Sequence, residues 1–496
     1  MRYLIGIDMG TTNIKAILFD ELGAIIAEAK CSTPVQVLDG GFAVYDPDTL
    51  WDIVAALLRD VSAQLEARGR SAFDICGIAV TGMGEAGVPL DRDGQPLYPV
   101  ITWYDSRTRD SAEQLREILG DECILQITGL HNQHIFTANK LLWLRTNEPE
   151  AFSKMYRWHC VPDYISFRLT GASRIDYSLA SRTMLFHQAT ASWSEEILSA
   201  VGISQDILPP VSPSGDLIGK VTAESAESTH IPSGIPVFTG GHDHICGAFA
   251  VGVWDAGSAL DSSGTAEEVL FAANRWETAE PLGRQGFNIG HHVKKDRYYT
   301  AGGIPASGAS VDWFRKNFPP APKECRVPLA HGLLFLPHLR GSSSPDRNHT
   351  SCGCFLGLRD SHHMGDFRQA VYEGVCFEMR QMMERLGGMP ERVVAIGGGT
   401  KNADWLQVKS DVLGMPVEVA SVQESTALGA ALLAGLGAGL YASAEDAFRK
   451  TYRIGRLVQP DLSLKYAYDR QFKLFQQIYP TISAQNTEYI EKGEIE

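Results

Sequence analysis

The chain has no apolar run approaching the roughly 18 residues that would suggest a membrane span. Its first residues, MRYLIGIDMG, enter a strand directly and lack the apolar core and cleavage site of a signal peptide. Positive charge is in deficit. Lys and Arg number 44 against 59 Asp and Glu, a net charge of −15, which argues against a polyanion such as DNA as the main partner. A local positive pocket for a small phosphate stays open. Cysteine is sparse: nine scattered residues, an odd number, with only Cys352 and Cys354 close together and no second pair to complete a zinc spacing. These absences predict reduced thiols and a cytoplasmic location, with neither a membrane nor nucleic acid as partner.

With 44% hydrophobic and 21% charged residues the composition is that of a soluble globular protein, and 496 residues suggest two large domains. The stretch Ile235 to His244 (IPVFTGGHDH) reads as a short apolar strand that runs out into a glycine turn, followed by a small-residue helix (ICGAFAVGV). Asp243 therefore stands at a strand end and a helix start, the crevice where open α/β sheets bind ligands. A carboxylate there can take a proton from a substrate hydroxyl. It can equally serve as a helix N-cap.

Two strand–turn–strand units repeat along the chain. Tyr3 to Ile7 ends at Asp8, Gly10-Thr11-Thr12 turns, and a second strand carries Lys15. Ser258 to Asp261, the turn Ser262-Ser263-Gly264-Thr265, and Ala266 to Ala272 repeat the pattern. Backbone amides and hydroxyls at such corners suit phosphate oxygens, and Asp8 beside the first suits Mg²⁺. Arg392 to Ile396 is a buried strand that opens onto Gly397-Gly398-Gly399-Thr400 before a helix from Asn402. That loop is neither a Walker A loop nor a dinucleotide fingerprint, but it lets a ligand approach the backbone. Thr81 to Gly87 is a second glycine-rich loop. Its one charge, Glu85, can accept bonds from neighbouring sugar hydroxyls and would repel a substrate carboxylate. Trp103 could stack on a sugar face, with Asp105 and Arg107 hydrogen-bonding beside it. Gly302-Gly303 precedes a helix from Ala306, and the polar loop Arg340 to His349 reads as surface. The scattered His131, His134 and His159 and the pair His362-His363 read as surface or core residues, the pair lacking a carboxylate partner at a useful spacing.

On these residues the chain resembles the FGGY family of carbohydrate kinases nearly end to end. IGIDMGTTNIKAILFD is similar to that family's first phosphate motif, GGHDHICGAFAVGV to its catalytic-aspartate segment, DSSGTAEEVL to its second phosphate motif and AIGGGTKNADWLQVKSDVLGMPVEV to its adenosine motif. The resemblance implies an α/β fold of two ribonuclease-H-like domains, of the actin and Hsp70 ATPase type, around a central cleft. It implies ATP and Mg²⁺ as cofactors, Asp243 as the base, and Asp8 as the acid near Mg²⁺. Gly10, Thr11, Thr12, Lys15, Gly264, Thr265, Gly308, Gly398, Gly399 and Asn402 match nucleotide positions. Glu85, Trp103 and Asp105, with Asp243, match substrate positions. The glycerol-kinase branch carries Asn-Gln-Arg-Glu-Thr at the Glu85 loop, so Glu85 is kept but Gly84 replaces the arginine.

The expected division is residues 1–250 for sugar binding and the base, 251–484 for the nucleotide, and a polar tail over 485–496. The expected reaction is phosphorylation of a terminal hydroxyl of an open-chain sugar or polyol, a pentulose or hexulose first, with glycerol or another polyol as the alternative. An actin- or Hsp70-like ATPase without a sugar substrate is the alternative of another class. A small sugar or polyol is the expected partner, and a homodimer is left open.

Overall fold

The computed structural model of the chain describes residues 2–319, 329–422 and 424–482, with no account of the side chains of residues 277–280. The expected tail over 485–496 lies outside the described residues.

Two mixed sheets form the frame. The first contains β1 (Tyr3–Met9), β2 (Asn13–Asp20), β3 (Ile25–Ser32), β4 (Ile75–Gly82), β5 (Leu217–Lys220) and β6 (Pro236–His242), in the order β5-β6-β4-β1-β2-β3. The second contains β7 (Ser258–Ser263), β8 (Glu267–Ala273), β9 (Asn288–His291), β10 (Tyr298–Ile304), β11 (Arg392–Ile396), β12 (Val417–Ala420) and β13 (Ile454–Val458), in the order β9-β10-β8-β7-β11-β12-β13. In each, three antiparallel strands are followed by two parallel ones: β3-β2-β1 then β4 and β6, and β10-β8-β7 then β11 and β12. This is the duplicated ribonuclease-H-like α/β arrangement expected from the sequence. β1 (YLIGIDM) is buried along its whole length because both faces of its sheet are covered, so its residues read as a run and not as an alternation.

The helices that position the site are α1 (Pro47–Ala67), α2 (Tyr177–Arg182), α3 (Asp243–Ala250), α4 (Ser307–Asn317), α5 (Met364–Arg385), α6 (Ala403–Leu413) and α7 (Ser425–Gly437). α1 starts where Asp46 accepts the Thr49 amide at 2.7 Å and Pro47 takes the first helical position. It lays Leu50, Val54, Leu58, Val61 and Leu65 on one face of the first sheet. α5 and α6 cover one face of the second sheet in the same way. Between the two sheets lie α3 and α7. One apolar core joins Leu4, Ile17, Ala79 and Phe238 of the first sheet to Leu260, Leu270, Val394 and Ile396 of the second through these helices. Each of the larger side chains among these contributes roughly 1.5–3 kcal/mol on burial. α7 follows the second sheet's β12 in sequence yet packs on β1, β4 and β6 of the first. It approaches α3 so closely that a Cβ on Gly429 would lie 1.9 Å from the Cys246 carbonyl oxygen.

Several local expectations change. The strand at Ile235 does not turn at its glycines. β6 continues to His242, absorbing the extra residue in a bulge against β4 between Thr239 and Gly241. The Thr81–Gly87 loop shrinks to Met83–Ala86, since β4 reaches Gly82 and a short strand, Gly87–Leu90, follows. Gly302 and Gly303 lie within β10, and the helix starts at Ser307. The loop from Arg340 is not simply surface: Ser344 is buried and donates to the Gly286 carbonyl at 3.0 Å, and Arg347 Nε reaches the same oxygen at 3.1 Å. His363 does find a carboxylate, closing a reciprocal cap with Asp366 at the start of α5. Every described cysteine is a free thiol. No helix among the described residues is long and apolar enough to cross a membrane.

Candidate active site

The first corner, Gly10–Thr12, joins β1 to β2 and is braced from beside it. Thr33 Oγ1 donates to the Gly10 carbonyl at 2.7 Å and the Thr33 amide donates to the Thr12 carbonyl at 3.0 Å. Asp8 pairs in register with Lys15 across the hairpin. Asp8 is buried, and burial first, then the nearby negative charge of Asp243, draws its pKa up to about 7. Lys15 reaches to Glu424, just ahead of α7, with Nζ 2.5 Å from Oε2.

Asp243 is the first residue of α3, at the carboxyl end of β6. It does not cap the helix: His242 holds the cap position, with no side-chain cap bond. Asp243 Oδ1 accepts the His244 amide at 2.6 Å. Burial raises its pKa, opposed chiefly by the charge of His244. Two imidazoles flank it. His242 Nδ1 lies 3.4 Å from Oδ1, but burial depresses that ring's pKa so far that it is neutral and the contact is no ion pair. His244 behaves oppositely: burial lowers its pKa, yet Asp243 and Glu268 outweigh that and raise it. His244 Nδ1 meets Ser262 Oγ at 3.0 Å, and Nε2 stands 3.8 Å from both Asp243 and Glu268. One ring thus connects the helix of the first half to β7 and β8 of the second.

The second corner, Gly264–Ala266, is closed by the Gly264 amide donating to the Ala266 carbonyl at 2.8 Å. α4 sits directly against it: the Ala309 amide donates to the Thr265 carbonyl at 3.0 Å, and a Cβ on Gly308 would lie 2.2 Å from the Gly264 oxygen. Under the corner is a sealed polar cluster that no motif suggested. Lys409 Nζ donates to Asp261 Oδ2 at 2.6 Å, Ser263 Oγ at 2.5 Å and Glu267 Oε2 at 2.8 Å, and Ser307 Oγ donates to the same Glu267 oxygen at 2.7 Å. Burial would strip the ammonium of its proton, but the two carboxylates hold its pKa above the ordinary lysine value.

Gly398–Lys401 forms a short 3₁₀ turn after β11, and the expected ligand glycines Gly398 and Gly399 lie in it. Beside it opens a cleft of about 420 Å³, lined among others by Ile396, Gly397, Thr400, Ser421 and Arg456 at the carboxyl ends of β11 and β12. Asn402 does not line this cleft. Its Oδ1 caps α6 by accepting the Trp405 amide at 3.2 Å, and its Nδ2 donates to the Tyr372 hydroxyl at 3.2 Å.

On the other side, Glu85 is 5% exposed and paired with Arg182, whose Nε and Nη2 both donate to Oε1, the former at 2.7 Å. The pairing neutralises the carboxylate, so the expectation that Glu85 repels a substrate carboxylate loses its basis. Lys140, fully buried, holds the Glu85 carbonyl at 2.8 Å. Trp103 is half-buried and turned toward the first corner, Nε1 donating to Thr11 Oγ1 at 3.0 Å. Asp105 is occupied: Arg107 Nε and Nη2 bond its two oxygens at 2.9 and 2.8 Å, and the Ala43 amide adds a third bond at 2.7 Å. Burial pushes its pKa up, but these bonds win and hold it below the ordinary value. Among the described residues no group of three His, Cys, Asp or Glu side chains forms a metal site.

The pattern of the FGGY family of carbohydrate kinases matches twice, its N-terminal domain over residues 3–250 and its C-terminal domain over residues 262–438. The chain belongs to the FGGY family of carbohydrate kinases. It is 33% identical to a xylulose kinase of Bacillus subtilis over 98% of both chains. It is 30% identical to a glycerol kinase of Thermococcus gammatolerans over 93% of this chain and 94% of that one. The crystal structure of xylulose kinase from Rhodospirillum rubrum superposes with a TM-score of 0.89 at 29% identity, covering 98% of this chain and all of that one. Within this FGGY kinase, Asp8 and Asp243 are near enough for one carboxylate to raise the pKa of the other, and His244 links Asp243 to the strands of the second corner, while Asp105 and Asn402 are engaged in their own local structure. Arg182, His244, Glu268, Lys409 and Glu424 are the site neighbours the motifs did not assign. Of these, His244, Glu268 and Lys409 lie within the stretches quoted above, whereas Arg182 and Glu424 lie outside them.

Proposed function

We propose that this FGGY kinase transfers the γ-phosphoryl group of ATP to a terminal hydroxyl of an open-chain sugar or polyol, a pentulose or hexulose first. The observation that carries the reading is the position of Asp243, at a helix start beside Asp8 and tied through His244 to the strands of the second corner. Asp243 takes the hydroxyl proton, the freed oxygen attacks the γ-phosphorus, and the bond to the bridging oxygen breaks, leaving ADP. Gly10, Thr11, Thr12 and Lys15 on one side and Gly264, Thr265 and Gly308 on the other present amides, hydroxyls and one cation to the phosphates. The cleft beside Gly398 and Gly399 has room for the nucleoside, with Asn402 supporting the turn from below.

Asp8 is the residue we assign to Mg²⁺. The fit rests on the donor set, a buried carboxylate offering hard oxygens with a second carboxylate, Asp243, near enough to raise its pKa, a charge pairing that a cation would relieve. When bound, the ion supplies charge neutralisation for the transferring phosphoryl group. Glu85 and Trp103 border the sugar, and Asp105 fixes the loop that carries Trp103. Relatives named xylulose kinase favour a ketopentose, and those named glycerol kinase keep a smaller polyol as the second reading. The division near residue 250 follows the two sheets, and a cytoplasmic location suits a soluble sugar kinase. Measuring ADP release across ketopentoses, ketohexoses, polyols and sugar acids tests the proposal. A sharp rise with one neutral sugar or polyol is expected, and release indifferent to every compound would sink it.

A further inference from the structure

No sequence motif points to Arg182, yet it lies where the sugar would be read. It ends α2, a helix locked in place at its start: Asp176 accepts the Ser178 and Leu179 amides at 2.8 and 3.0 Å, and Ser178 Oγ accepts the His242 amide at 2.9 Å. The last of these ties the helix to the residue before Asp243. The stem of Arg182 occupies the space a side chain at position 84 would need. A Cβ on Gly84 would lie 2.7 Å from Arg182 Cβ, 2.9 Å from its Cγ and 2.9 Å from the His242 ring. The bare glycine therefore lets an arginine from a distant helix lie along the Met83–Ala86 loop.

The pairing with Glu85 is one-sided. Both guanidinium donors converge on Oε1. Oε2 accepts no hydrogen bond from any described residue and is not sealed from solvent. An ion pair built only to prop a loop would be expected to occupy both oxygens, as Asp105 and Arg107 do nearby. From the opposite side the Tyr299 hydroxyl of β10 is near enough for the guanidinium charge to act on it, so the guanidinium stands between the two halves. Glu85 is close enough to add to the negative field on Asp243.

We propose that Arg182 and Glu85 form one recognition clamp for the sugar: Glu85 Oε2 accepts a hydrogen bond from one hydroxyl while Arg182 donates to the neighbouring oxygen, either a hydroxyl or a ketone. This rests on the kinase reading above. An unengaged carboxylate oxygen next to a charged donor matches two adjacent oxygens of a neutral polyhydroxy chain, one donating and one accepting. The clamp is electrically neutral, so it selects by hydrogen-bond pattern and not by charge.

The test compares Arg182→Gln, Arg182→Lys and Tyr299→Phe with the wild type, using the best sugar of the panel and ATP as separately varied substrates. Arg182→Gln should raise the sugar KM about 10- to 100-fold and leave the ATP KM within about twofold. Arg182→Lys, which keeps charge but loses the fork, should recover part of the loss. A soluble Arg182→Gln enzyme with an unchanged sugar KM and only a lower Tm would overturn the clamp, as would equal rises in both KM values. If that variant does not fold, Tyr299→Phe decides. It removes the hydroxyl beside Arg182 without unpairing Glu85, and should raise the sugar KM about threefold with the ATP KM unchanged; no change would overturn the proposal. A wild-type enzyme stimulated by no sugar would instead sink the kinase reading itself, and the clamp with it.

Discussion

His244 Nδ1 lies 3.0 Å from Ser262 Oγ, so the helix that begins at Asp243 touches the strand that leads into the second Gly-Thr corner. The proposed base and one of the two proposed phosphate corners are therefore linked through a single side chain. A displacement of either sheet against the other moves the carboxylate relative to that corner.

Asp243→Asn keeps the shape of the side chain and removes its basicity. Sugar-dependent ADP release should fall by about 10²- to 10⁴-fold while ATP still binds. Burial raises the Asp243 pKa, so the acid limb of kcat/KM should lie above the ordinary carboxylate range. Steady-state rates across pH, with nucleotide binding by calorimetry, check both points. Turnover near the wild-type value in the variant would remove Asp243 from the mechanism.

Lys409 neutralises two sealed carboxylates beneath the second corner. Lys409→Met should cost about 3–5 kcal/mol, because Asp261 and Glu267 are then buried without a cation. Chemical denaturation measures the loss. A cost under about 1 kcal/mol would mean the cluster contributes nothing to holding the corner.

At Gly308 any side chain meets the Gly264 carbonyl at 2.2 Å, and the backbone there has little room to yield. Gly308→Ala should displace the Gly264–Thr265 turn and raise the ATP KM about tenfold, with a much smaller change for the sugar. Equal affinity for ATP in the variant would place the phosphates elsewhere.

Glu373, buried in α5, has its pKa drawn up to about 8, mainly by burial, although Gln369 and the Ala330 amide partly oppose this. Its ordinary value is 4.5, so between these two pH values the unfolded chain has released a proton that the folded chain still holds. Stability therefore declines as pH rises through that window. Glu373→Gln should raise stability by roughly 1–3 kcal/mol at alkaline pH and change little at acid pH. Equal Tm gains at both ends of the range would contradict the assignment.

The two meanders, the glycine corners and the position of Asp243 were legible because each is local. β-rich runs, Gly-Thr turns and a strand-to-helix junction leave their marks within a dozen residues. What the sequence hid is long-range. Arg182 meets Glu85 across 97 positions and Lys15 meets Glu424 across 409, and no periodicity announces either pair. Gly240 and Gly241 read as a turn because glycine favours one, but pairing with β4 overrides that preference and carries the strand on to His242. Asp105 and Asn402 looked available for ligands because a motif gives residue types and not what those side chains already hold.

The lodging of α7 on the first sheet bears on how the protein comes off the ribosome. The strands of that sheet are all translated by His242, yet the helix that covers β1, β4 and β6 emerges nearly two hundred residues later. Until then Leu4, Ala79 and Phe238 lack part of their cover, and the nascent chain offers a sticky apolar face of the kind chaperones bind. A fragment ending at residue 260 should accordingly bind a hydrophobic dye and aggregate, and addition of a separately made 261–496 fragment should suppress both. A well-behaved monomeric 1–260 fragment would show that the first lobe closes over itself without the late helix.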